Sequence, residues 1–122
     1  MTTIEQLELI IEPDVEPTAT LTERFEAFHA ANPHVYETLI DLALTWRDRT
    51  GGRRIGIAAL WERMRWEIGI STTDESPKLN NDYRACYARL LMREEPRLVG
   101  MFEIRKSTAD EWIDHVTAGG AA

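Results

Sequence analysis

The side chains able to do chemistry are few, and their spacing suits binding better than catalysis. His29, His34 and His115 are the only histidines, and they form no HExxH or other paired-ligand spacing. Ser71, Ser76 and Ser107 all lie in loop-like sequence without a nucleophile-elbow motif. The single cysteine, Cys86, excludes an internal disulfide and every Cys-rich zinc pattern. It falls on the apolar side of a helix, where a cysteine acts as a small buried hydrophobe. Neither GxxxxGK[ST] nor GxGxxG occurs, so no phosphate cradle is expected. The carboxylates sit on polar helix faces or in the terminal arms. We therefore expect no catalytic residue, no metal and no cofactor, and read the chain as a non-enzyme.

What remains is a contact chemistry centred on Asn80-Asn81-Asp82-Tyr83-Arg84-Ala85-Cys86-Tyr87-Ala88-Arg89. At about 100° per residue, Leu79, Tyr83, Cys86, Tyr87, Leu90 and Leu91 share one side of a helix. The opposite side carries Asn81, Ala85, Ala88 and Met92, flanked by Lys78, Arg84 and Arg89. Small residues let a helix approach a groove closely, and Asn and Arg can read base edges. On this reading Asn80, Asn81, Arg84 and Arg89 face DNA, while Lys78, Arg65, Arg105 and Lys106 contact phosphates. The same Ala85, Ala88 and Met92 surface would equally suit a protein partner or a second copy of the chain, related by a two-fold axis.

Charge placement sharpens the choice without deciding it. The net charge of −7 is uneven: residues 1–23 carry −6, residues 47–106 carry +4, and residues 107–122 carry −3. A basic middle thus lies between acidic arms. The overall acidity opposes the electrostatic attraction that dominates DNA affinity. An acidic arm can instead compete for a basic groove on another protein.

The elements that must position these residues follow from periodicity and breakers. Residues 1–21 read as an acidic arm, interrupted by Pro13 and Pro17. Its apolar run, Ile4 to Ile11, fits either an edge strand or a short helix. A helix is expected from Thr22 as N-cap, breaking at Asn32-Pro33, where Asn caps and Pro opens the next helix. That second helix, ending at Thr50-Gly51-Gly52, has an apolar stripe wide enough for a central position. After a short strand near Arg53 to Ile57, Ile57, Leu60, Trp61, Met64 and Ile68 share one face of a third helix. Trp66 lies almost opposite that face, to be covered by the N-terminal arm or by another molecule. A loop, the Asn81–Glu95 helix and a strand holding Phe102 and Ile104 complete a domain over residues 22–106. Residues 107–122 form an acidic helix and tail.

This order of elements predicts a mainly α fold with a small β element, in a winged helix-turn-helix-like arrangement. The stretch from Gly69 to Asn80 is longer than the usual turn of that motif. No apolar run approaches the roughly 20 residues of a membrane span, and the acidic N-terminus lacks a signal-peptide pattern. The absence of disulfides suits a reducing cytosol.

FEAFHAANPHVYETL, ALWERMRWEIG and KLNNDYRACYARLLMREEPRLVGMFEIRKS together resemble a group of small phage and prophage proteins of unassigned role. The matching positions are Phe25, Phe28, His29, Asn32, Pro33, Val35, Tyr36, Arg63, Arg65, Trp66, Glu67, Asn80, Asn81, Tyr87, Ala88 and Arg89. The resemblance covers residues 24–106 and implies a place in the cytoplasm of an infected bacterium, but no activity or cofactor. The leading expectation is a phage accessory protein that binds double-stranded DNA. The alternative is a module that binds or inhibits a host or phage protein.

Overall fold

The computed structural model describes residues 10–72 and 79–102. Within them the chain forms α1 (Leu21–Ala31), α2 (Pro33–Thr50), α3 (Ile57–Ser71) and α4 (Tyr83–Glu94), followed by a 3-10 turn at Pro96–Leu98. The mainly α expectation holds. The small β element shrinks to one isolated parallel bridge between Ile55 and Phe102. A wing is an antiparallel hairpin, so this parallel pair does not supply one. Ile104, Arg105 and Lys106, the expected acidic C-terminal helix and Lys78 lie outside the described residues.

Local chemistry sets the helix ends. α1 starts two residues earlier than expected, because Thr20 and not Thr22 is its N-cap. The Thr20 hydroxyl accepts from the Glu23 N–H at 3.1 Å, and the Glu23 carboxylate accepts from the Thr20 N–H at 2.8 Å. This reciprocal box satisfies two donors that the first turn leaves unpaired. Pro33 opens α2 as its sequence predicts. Gly51 closes it in the left-handed region at φ +73°, a conformation that favours glycine. The turn beyond is pinned by Trp46, whose Nε1–H donates to the Arg53 carbonyl at 2.7 Å.

Asn32 holds the N-cap position of α2 but does not cap it through its side chain as expected. That side chain is fully buried. Its amide instead clamps the incoming chain: Oδ1 accepts from the Ile11 N–H and Nδ2 donates to the Ile11 carbonyl, both at 2.7 Å. Nδ2 also donates to the Phe28 carbonyl at 3.0 Å. One amide thus imitates a strand neighbour for Ile11, while Ile10 packs on the core. The described part of the arm is attached to the domain beside the α1–α2 junction.

α2 and α4 are both central. α2 buries Val35, Leu39 and Ala43 and rests on α1, α3 and the 3-10 turn. α4 buries Tyr83, Cys86, Tyr87, Ala88, Arg89, Leu90 and Leu91. An aromatic cluster joins it to its neighbours. The Tyr87 ring meets Phe25 edge-on at 4.8 Å and Trp61 at 5.7 Å, and Tyr83 meets Phe28 at 4.9 Å. Such contacts add about 0.5–1.5 kcal/mol each beyond the area they bury.

Replacing Asn32 with Ala should cost about 1–3 kcal/mol, since it removes both hydrogen bonds that hold the part-buried Ile11 backbone groups, while the Phe28 carbonyl keeps the Asn32 backbone N–H. Urea unfolding checks this, and a loss below about 1 kcal/mol would show that the clamp is dispensable.

Candidate binding surface

The structure redistributes the face expected on the Asn80–Arg89 helix. At about 100° per residue, the buried arc of α4 runs from Arg89 through Tyr83 to Ala88, leaving only a narrow strip outside. Ala88 is 1% exposed and Arg89 7%, so neither presents to a DNA groove. The expectation of an open small-residue face is corrected. The reason is enclosure: α3, the 3-10 turn and the aromatics of α1 all lean on α4, so its apolar side spreads over most of its girth. Ala85 and Met92 remain half-buried and rest on the core. Arg89 turns back along its own helix, its Nη1 donating to the Ala85 carbonyl at 3.4 Å.

Three of the expected polar contacts do come together. The exposed Asn81 accepts through Oδ1 from Trp61 Nε1–H at 3.1 Å and from Arg65 Nη2 at 3.3 Å. Its carbonyl accepts from Arg84 Nε at 3.1 Å. Asn81 therefore draws Arg65 and Arg84 to the α4 N-terminus, while Glu62 partly neutralises Arg65 at 3.2 Å. Asn80 is occupied locally, its Oδ1 accepting from the Asp82 N–H at 2.9 Å. Asn80 and Asn81 are thus spent first on building the entry to α4.

A larger surface lies along α2 and α3. Leu42, Thr45, Trp46 and Arg49 repeat at helical spacing on α2, facing Ala59, Leu60 and Arg63 of α3. With Ile55 and Thr50 they line an open groove of about 470 Å³. None of these lining residues is acidic. The Arg53 guanidinium stacks 5.0 Å above the ring of Trp46, one of the lining residues. Farther along α3, beyond the groove lining, Trp66 and Ile70 are 53% and 61% exposed. Ala59, Arg63, Trp66 and Ile70 form one stripe at i, i+4, i+7 and i+11 spacing. Arg63 stands 4.8 Å over the Trp66 ring and pairs with Glu67 at 2.9 Å, linking groove to stripe. Trp66 was expected to stand opposite the core stripe, and it does. The described part of the arm is held at Asn32.

A third cluster is internal. His29 stacks on Phe25 and meets Tyr36 and Tyr87 edge-on, at 5.6 and 5.7 Å. His29 Nδ1, Tyr36 Oη and Tyr87 Oη are buried and have no hydrogen-bond partner among the described residues. Burial lowers the His29 pKa, with Glu94 opposing, so the ring stays neutral. Burial, reinforced by Glu94 and Glu95, pushes the Tyr36 phenol up to about 12. The Cys86 thiol is likewise pushed by burial up to about 11, which leaves it protonated and a poor nucleophile. No group of three or more His, Cys, Asp or Glu among the described residues is placed to hold a metal ion. No described helix is long and apolar enough to cross a membrane.

No family model, curated protein or solved structure matches the chain.

Sequence reasoning missed the groove because its walls come from two helices. The visible signal was the run Arg47-Asp48-Arg49-Thr50-Gly51-Gly52-Arg53-Arg54, a basic stretch around a glycine cap.

A lowered His29 pKa means that the unfolded chain binds the proton more tightly. Its contribution to stability is complete above the ordinary value of 6.5 and is lost as pH falls below it toward the folded pKa. His29→Gln should therefore flatten the fall in urea midpoint between about pH 7 and pH 5.5. An unchanged slope in that variant would assign the acid sensitivity to other groups.

Proposed function

We propose that this protein is a protein-docking module, with the α2–α3 groove and the Ala59–Ile70 stripe as its working surface. The carrying observation is that Trp66 and Ile70 stand exposed in line with an apolar groove that stays open. Contiguous apolar surface of this kind is costly to leave in water and marks interaction sites. Tryptophan and arginine are the residue types that most often dominate such contacts, and here Arg63 and Trp66 are stacked at 4.8 Å. The resemblance to phage proteins suits a partner from the phage or its bacterial host.

A DNA reading keeps one specific observation, the Arg65–Asn81–Arg84 cluster at the α4 N-terminus. Several facts weigh against it as the main role. α4 is enclosed, Ala88 and Arg89 are buried, and the chain carries −7 overall. The long α3–α4 connection also departs from the helix-turn-helix spacing. A winged arrangement would need its hairpin outside the described residues.

Two parallel measurements separate these readings. Capture from a host lysate by immobilised protein should give a discrete partner that is lost with Trp66→Ala/Ile70→Ala and kept with Arg65→Ala/Arg84→Ala. Fluorescence anisotropy with a labelled mixed-sequence duplex at low salt should show no saturable binding. Duplex binding that weakens steeply with salt and disappears in Arg65→Ala/Arg84→Ala would overturn the docking proposal in favour of DNA.

A further inference from the structure

We infer that the occupant of the α2–α3 groove is an acidic amphipathic helix of a partner protein, an inference that rests on the docking reading above. Three features set the chemistry. The floor and walls are apolar, through Leu42, Trp46, Ile55, Ala59 and Leu60, so the occupant must bury an apolar ridge. Arg49 and Arg63 line the same groove, and no carboxylate does. Arg49, Arg53 and Arg54 are exposed and make no ion pair among the described residues, although the chain as a whole is acidic. A local cationic rim on an acidic protein attracts anionic partners and disfavours basic ones.

The shape selects a helix. Two packed helices present ridges and a groove into which a third helix can settle, at an interaxial distance of about 8–10 Å. From Ala59 to Ile70 the stripe runs about 17 Å, which is three turns of a docked helix. Among the described residues no strand edge flanks the groove, so an extended peptide would find no backbone ladder to join. Nucleic acid fits poorly. Apolar walls give phosphates nothing, and the Trp46 face is already covered by Arg53. Arg63 reaches the groove, stands over Trp66 and gives its Nε to Glu67, so a partner carboxylate there would meet its terminal nitrogens beside an aromatic anchor.

The test uses the full-length chain and labelled helical peptides of about 16 residues, long enough to span the stripe. One carries Leu and Trp at i, i+3, i+4 and i+7 with Glu elsewhere. A second keeps the apolar ridge and replaces Glu with Lys, and a third scrambles the acidic sequence. Anisotropy should show saturable binding of the acidic amphipathic peptide, at least about tenfold tighter than either control and weaker at raised salt. Arg49→Gln/Arg63→Gln should cost about tenfold for that peptide, with helicity by circular dichroism unchanged. Trp66→Ala should weaken it without changing its salt dependence.

Equal binding of the acidic and lysine peptides, with loss in Trp66→Ala, would overturn the charge assignment while leaving the docking surface intact. Binding of the scrambled peptide as tightly as the ordered one would remove the helix. Displacement of the peptide by excess unlabelled chain, with a matching dimer in sedimentation, would assign the groove to a second copy and overturn the inference. Absence of binding by all three peptides would also overturn it, and the lysate capture would then judge the docking surface separately.

Discussion

Tyr87 is the side chain through which the helices hold one another. Its ring touches Phe25 and His29 of α1 and Trp61 of α3, all between 4.8 and 5.7 Å. Tyr83, one turn earlier, repeats the contact to Phe25 and adds Phe28. Aromatic rings bury large areas with only two side-chain torsions to order, so a cluster of this kind fixes helix positions at low entropic cost. The phenol oxygen of Tyr87 is carried inward with the ring and has no hydrogen-bond partner among the described residues. Within the described residues, burial of the surrounding apolar surface must therefore outweigh the cost of desolvating that oxygen.

That constraint decides where outward chemistry can lie. α4 is enclosed by α1, α3 and the 3-10 turn, which takes Ala88 and Arg89 out of solvent. Its remaining polar residues serve structure: Asn81 receives Trp61 and Arg65, and Arg89 folds back on its own helix. The large exposed apolar side chains of α3, and Arg53 and Arg54, which make no ion pair among the described residues, fall on another face. α3 has two sides: it buries Leu60, Trp61, Met64 and Ile68 and leaves Trp66 and Ile70 in water, so its outer side can be changed without touching the aromatic core.

The α2–α3 junction gains its definition from a short turn. Gly51 reverses the chain at positive φ, Thr50 accepts from the Arg53 N–H at 3.1 Å, and Trp46 donates to the Arg53 carbonyl. These bonds set the end of the groove and hold Arg53 over the Trp46 ring. Ile55 then bonds to the Met101 carbonyl at 2.9 Å and so fixes the groove wall to the end of the described chain. A groove framed on several sides in this way is preorganised, which lowers the cost of ordering a ligand against it.

Much of this was legible in the sequence because the signals are local. Asn32-Pro33, Thr50-Gly51-Gly52 and Pro96 mark helix ends through backbone chemistry that needs no neighbour. The 3.6-residue pattern assigned Tyr83, Cys86, Tyr87, Leu90 and Leu91 to the core and Trp66 to the outside. Periodicity could not say how wide the buried arc of α4 would be, since that depends on how many neighbours surround the helix. Ala88 and Arg89 were misplaced for that reason. Asn32 carried a signal for capping, yet its clamp on Ile11 spans 21 residues and exists only when the arm returns to the α1–α2 junction. The groove likewise joins residues from two helices and the Ile55 bridge. The chain by itself determined which segments are helical and which side of each is apolar. Packing alone decided which arginines stay in water, because burial depends on neighbours that only the fold brings together.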